Sequence, residues 1–127
     1  MKAKGSVEKH RDQSIHYLEN AFKFIEGGDA EKASEFLWGG MTQALKAVAA
    51  SKEIKLKSHR QIWDYAKELS RSLNDKEIFD AFLQANSLHS NFYESELTVV
   101  DVATLAEGIR PTIGKLLGLL PKTGTAR

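Results

Sequence analysis

The residues best suited to chemistry lie in one run, Asn86-Ser87-Leu88-His89-Ser90-Asn91-Phe92-Tyr93-Glu94. At helical spacing, Phe82, Asn86, His89 and Tyr93 share one stripe. A stripe that only packs a core is apolar, whereas this one carries an amide and an imidazole. Imidazole changes charge near neutral pH, so His89 could serve as a general base or a proton donor. The Asn86 amide and the Tyr93 hydroxyl would then orient its ring. The plainer alternative is a histidine satisfied inside the fold by Asn86, Tyr93 or a backbone carbonyl.

A second group is the basic segment Lys52-Glu53-Ile54-Lys55-Leu56-Lys57-Ser58-His59-Arg60. Arg60 falls in the first turn of a helix, where the macrodipole disfavours a cation. It calls for a partner, either an acidic side chain or an external phosphate. A solvated loop in which Arg60 pairs within the chain accounts for the same residues.

Other chemistries find no support. His10, His16, His59 and His89 form neither His-x-x-x-His nor His-Glu-x-x-His, so no metal site is expected. No phosphate loop, dinucleotide fingerprint or nucleophile elbow occurs, and no cofactor is expected. The chain has no cysteine, which excludes disulfides and thiolate chemistry and points to a reducing, cytoplasmic setting. The apolar stretch near Ile113 to Leu120 is too short and too interrupted to span a bilayer.

The elements that must position these residues are helices. With 127 residues, 42% hydrophobic and 28% charged, the chain fits one globular domain with one core. A first helix over about 7–26 carries Ile15, Leu18, Phe22 and Ile25 on its apolar stripe and stops at Gly27-Gly28. Asp29 is a natural N-cap for a second helix over about 30–52. That helix is apolar around much of its circumference, which marks it as central. Gly39-Gly40 inside it fits close approach by a neighbouring helix. Ser58 and Gln61 read as a capping box for a third helix to about Ser72, with Ile62, Tyr65, Ala66 and Leu69 inward. Asn74-Asp75-Lys76-Glu77 repeats the capping logic for a fourth helix. A last helical segment covers about 97–120, with a kink or restart expected at Pro111 and favoured by Gly108. The expected architecture is all-α, an up-and-down antiparallel bundle of about five helices over residues 7–120, with tails at 1–6 and 121–127.

Net charge is only +1, so no global field draws in nucleic acid. Residues 74–109 nevertheless carry seven acidic groups and one basic. His89 therefore sits in the acidic third of the chain, where it meets a phosphate only if basic groups fold over it from elsewhere.

Four segments together resemble the archaeal PaREP family: Trp38-Gly39-Gly40, Ala44-Leu45-Lys46, Ser58-His59-Arg60, and Leu88-His89-Ser90-Asn91-Phe92-Tyr93-Glu94. The resemblance covers about residues 7–120, and that family is placed in or near the HEPN superfamily of helical proteins. It implies a HEPN-like bundle that commonly forms a homodimer. Many HEPN proteins are metal-independent RNases, often partnered by a small nucleotidyltransferase. Their active motif is an arginine, about four to six residues, then a histidine. His89 matches the histidine, but Phe82, Leu83 and Gln84 stand where the arginine belongs. The dyad is incomplete and lacks the cation that would stabilise a phosphate. Arg60 or Lys46 would have to substitute. The first expectation is therefore a binding and dimerisation module for RNA, a nucleotide or a protein, using His59, Asn86, Asn91, Tyr93, Glu94, Trp38 and Lys46. The alternative is an RNase with a rearranged site, His89 as base and Arg60 as phosphate clamp.

Overall fold

The computed structural model describes residues 2–91 and 97–122, and these are helical with no strand. The helices are α1 (Lys2–Glu26), α2 (Ala30–Ser51), α3 (His59–Ser72), α4 (Lys76–Asn91) and α5 (Val99–Leu117). α2 is central and packs against all four others. Its Leu37, Met41, Ala44, Leu45 and Val48 meet Ile78, Phe82, Ala85 and Leu88 of α4, and Val102, Ala106, Ile109, Ile113 and Leu116 of α5, in one core. α1 and α2 run antiparallel, as the cross-contacts His10–Gln43 and Ser14–Gly40 establish, and so do α3 and α4 (His59–Asn86, Trp63–Phe82) and α4 and α5 (Glu77–Lys115, Gln84–Gly108).

Three helices end in the same way. Asp29 N–H bonds Phe24 C=O at 2.9 Å and Gly28 N–H bonds Ile25 C=O at 3.1 Å, with Gly28 in the left-handed region. This is a Schellman stop. The ends of α2 and α3 repeat it with Glu53 (φ 60°) and Asn74 (φ 53°) in the same place. The carboxylate of Asp29 then accepts from Lys32 N–H at 3.0 Å and opens α2. At the N-terminus of α3, Ser58 Oγ accepts from Gln61 N–H, as a capping box requires. Gln61 reaches back to Lys57 N–H at 2.7 Å rather than to that of Ser58. α5 opens with a full capping box, Thr98 with Asp101.

Several expectations are corrected. α1 begins at Lys2, so residues 2–6 continue the helix instead of forming a tail. Of the bulky stripe on α1, Leu18, Phe22 and Ile25 are half-buried against the core, but Ile15 is exposed. Val7, Ser14 and Ala21 are buried at its seam instead. Small residues line this seam because α2 offers Gly39 and Gly40, and the helices close together. A Cβ on Gly39 would lie 2.8 Å from the Tyr17 ring, and one on Gly40 would lie 3.3 Å from Ile113 Cδ1 and 3.5 Å from Ser14 C=O. Ser14 Oγ donates to Gly40 C=O at 2.7 Å, fully buried. Nor does α5 restart at Pro111. It is one helix, Val99–Leu117, in which Glu107 and Pro111 are both exposed, so water can satisfy the Glu107 carbonyl that Pro111 leaves without a helical partner. Pro121 and Lys122 follow the helices without regular structure. No helix among the described residues is long and apolar enough to cross a membrane.

Asp75 closes α3 through its N–H, accepts from Glu77 N–H at the start of α4, and accepts from Lys115 Nζ of α5 at 2.7 Å. Lys115 also donates to Glu77 at 3.1 Å. The Lys115 hydrogen bond holds the Asp75 carboxyl below its ordinary range, and the Asp75 and Glu77 carboxylates hold Lys115 above its own.

Two predictions follow from this packing. Gly40→Ala should stay within about 1 kcal/mol of wild type in urea unfolding, because better helix propensity offsets a small displacement of Ile113. Gly40→Leu should lose about 1–3 kcal/mol or more by overpacking against the Ser14 backbone. For the Lys115 clamp, a depressed carboxylate contributes stability above its unfolded range, and that contribution is lost as pH falls through its folded value. A raised lysine contributes below its unfolded range and loses it as pH rises. Lys115→Met should therefore lower Tm at neutral pH and leave it unchanged once the Asp75 carboxyl is protonated. An equal drop at both pH values would refute the clamp.

Candidate functional site

Gly39 and Gly40 turn one side of α2 toward α1 and α5. Trp38 projects elsewhere, against α3 and α4. Its indole lies 5.6 Å from Phe82, which is fully buried on α4, and Trp63 of α3 meets the same Phe82 edge-on at 5.6 Å. Phe79 closes the group on α4, stacked on Phe82 and edge-on to Trp63. These rings grade from the core to the surface.

Two imidazoles sit on the outer part of the group. Ser58 caps α3, which makes His59 its first residue. The His59 ring lies 5.5 Å from Trp38 and 6.3 Å from Trp63. Its Nε2 donates to Asn86 Oδ1 of α4 at 2.8 Å. His89, one turn beyond Asn86, stacks on Trp38 at 4.9 Å with the planes only 12° apart. Its Nδ1 lies 3.6 Å from Glu35 Oε1, with the side chains 41% and 49% exposed. That separation is too long for a hydrogen bond but suits an ion pair when the ring is protonated.

The structure thus brings His59, Asn86, His89 and Trp38 onto one face. It changes their partners, for Asn86 bonds His59 and not His89. Phe82, Asn86 and His89 do share a stripe, but it spirals outward from a buried ring to an exposed imidazole. Arg60 pairs with Asp64 one turn along α3 at 3.4 Å, and both are well exposed. This is the acidic partner its place in the first turn calls for. Lys46 is half-buried on α2, with no ion pair or hydrogen bond among the described residues. The side chain of Asn91, together with Phe92, Tyr93 and Glu94, lies outside the described residues.

Sequence reasoning missed Glu35 and Trp63. Both carry a signal in hindsight, because Glu35 precedes Trp38 by one helical turn and Trp63 follows His59 by one. Among the described residues, no group of three or more His, Asp or Glu side chains could hold a metal ion. What the face offers is two imidazoles able to hold or pass a proton, a carboxylate beside one of them, and flat rings. Lys55, Lys57 and Arg60 are exposed in the segment entering α3.

An all-α bundle, five helices among the described residues, with an aromatic and imidazole face is therefore the class that the fold and site define. A crystal structure of a protein from Sulfolobus solfataricus has the same fold, with a TM-score of 0.73 at 24% identity over 84% of this chain and 94% of that one. No curated protein matches the chain. The model of the archaeal PaREP1/PaREP8 family matches residues 9–113, and the chain belongs to that family. The matched span includes every residue of the face just described.

The buried ring beneath the site should matter more to stability than the polar groups above it. Phe82→Ala should cost about 3–5 kcal/mol and weaken the indole signals in near-ultraviolet circular dichroism. Asn86→Ala should cost no more than about 1.5 kcal/mol, the worth of one hydrogen bond. Equal costs in urea unfolding would contradict the gradient from core to surface.

Proposed function

We propose that this protein is a HEPN-like helical module that binds single-stranded RNA on the Trp38 face and works in the cytoplasm. The observation that carries this reading is the grouping of two exposed imidazoles, His59 and His89, on the half-buried Trp38 ring, with Lys55, Lys57 and Arg60 exposed in the segment around His59. Single-stranded nucleic acids are held by the same combination, bases against flat side chains and backbone against cations. The Arg60–Asp64 pair does not oppose it, because an exposed pair contributes little and can open toward a phosphate. A homodimer and a nucleotidyltransferase partner belong to this reading through the resemblance to HEPN proteins.

Metal-independent RNA cleavage is the second reading, favoured by His89 with Glu35 beside it. Against it stands the missing arginine at Phe82, Leu83 and Gln84, and the engagement of Arg60 with Asp64.

The test is fluorescence anisotropy with a labelled single-stranded RNA in EDTA. Wild type should bind, with affinity falling as salt rises. His59→Ala, which removes an exposed ring, should weaken binding about tenfold, the loss of one stacking contact. Absence of binding by the folded wild type would sink the first reading. Cleavage of the same RNA that vanishes in folded His89→Ala would replace it with the second.

A further inference from the structure

We propose that the Glu35 carboxylate makes this face selective for guanine, accepting from N1–H and N2–H of a base stacked on His89. The inference rests on the reading that the Trp38 face binds single-stranded RNA, and it names the base that the site prefers. An acidic side chain is out of place on a surface that meets phosphates, because like charges weaken association. Glu35 is nevertheless 49% exposed and stands beside the ring stack, with Oε1 3.6 Å from His89 Nδ1. That gap is too long for a hydrogen bond. No donor among the described residues bonds the carboxylate, so both oxygens keep their acceptor sites for a ligand.

The stack sets what Glu35 can reach. His89 lies parallel to Trp38 at 4.9 Å, with the planes 12° apart, and is itself 41% exposed. A base laid on the imidazole continues the stack and turns its hydrogen-bonding edge to the carboxylate at the rim. Glu35 and Trp38 lie three residues apart on α2, so one helix holds both the acceptor and the floor of the stack. Unpaired bases expose their Watson–Crick edges, and the four differ in what they offer there. A carboxylate only accepts, through two oxygens side by side. Guanine alone presents two adjacent donors, N1–H and the N2 amino group, which match those oxygens as a bidentate charge-assisted pair. Adenine and cytosine each set one amino donor beside a ring nitrogen whose lone pair opposes the second oxygen. Uracil sets its one N–H between two carbonyls. Glu35 thus attracts one base and rejects three, and the two effects add in selectivity.

The test is anisotropy with labelled uridine heptamers that differ only at the central base, guanine, adenine, cytosine or uracil, at one pH and one salt concentration. Wild type should bind the guanine strand about tenfold tighter than the others, within the range of one bidentate base contact. A strand with inosine, which lacks the N2 amino group, should fall between guanine and adenine. In folded Glu35→Gln the guanine strand should weaken and the preference vanish, while the other strands bind as before or tighter, because a negative charge has gone. If Glu35→Gln tightens all the strands alike, the carboxylate only repels phosphate and the proposal is overturned. Equal binding of all the strands by wild type overturns it too, and leaves the RNA reading standing. If no strand binds, titration of isotope-labelled protein with GMP and AMP decides between the two ideas. A shift of the assigned Trp38 indole N–H with GMP alone, lost in Glu35→Gln, keeps the guanine site and drops the RNA reading. No shift overturns both.

Discussion

The close crossing of α1 and α2 at Gly39-Gly40 sets the geometry of the rest of the bundle. Two glycines inside a helix cost about 1 kcal/mol each relative to alanine. Here they admit the Tyr17 ring and the Ser14 backbone, and Ser14 Oγ ties itself to the Gly40 carbonyl. Ile113 of α5 reaches Gly40 as well. With α1 and α5 occupying that side, the opposite side of α2 is left for α3 and α4. Trp38 is the residue immediately before the glycines, so the crossing that closes one side of α2 also fixes the indole on the other. Backbone economy at one point thereby determines where the aromatic face can form.

The second determinant is chain length between α2 and α3. The α1–α2 and α3–α4 turns are tight, with Gly28 and Asn74 in left-handed conformations and the following aspartates opening the next helix. Tight turns place the start of one helix beside the end of the last. Segment 52–58 departs from this. From Trp38 to Ser51, α2 rises about 20 Å, while seven extended residues can span about 23 Å. The segment is long enough to return the chain to the level of Trp38 before Ser58 caps α3. His59 meets Trp38 for this reason and not because the two are near in sequence.

Much of this was legible in the residues. Helix stops at Gly27-Gly28, caps at Asp29 and Ser58, and the apolar breadth of α2 are local signals, and local signals survive folding. The role of Gly39-Gly40 was readable because a mid-helix glycine pair has few uses. Other features depended on partners that a sequence does not display. Ile15 reads as core by periodicity, yet the seam went to Ser14 and Ala21 because glycine on α2 rewards small neighbours over large ones. Pro111 reads as a breaker, yet the helix runs through it, with water able to reach the carbonyl it frees on the exposed side while the packing of α5 holds the helix together. At the site, Asn86 and His89 were visible as a polar interruption of an apolar stripe. Their partners were not, because the helix period says which residues share a face and not what stands opposite. Glu35 and Trp38 come from α2, and only the antiparallel packing of α2 and α4 brings them to His89.

The energetic layering of this face bears on what its residues are for. Phe82 is fully buried and holds two indoles, so the floor of the site belongs to the core. The groups above it contribute little to folding. An exposed ion pair is worth about 0–1 kcal/mol and one hydrogen bond about 1 kcal/mol. A protein that needed only packing here could cover Trp38 with leucine and gain hydrophobic area at no polar cost. Instead it presents two imidazoles, each restrained by a side chain from another helix, His59 by its bond to Asn86 and His89 by its stack on Trp38. Orientation without burial adds little to stability, but it is what a proton-carrying contact with a ligand requires. The restraint on two exposed rings, more than their identity, is why this face reads as a site and not as the rim of a core.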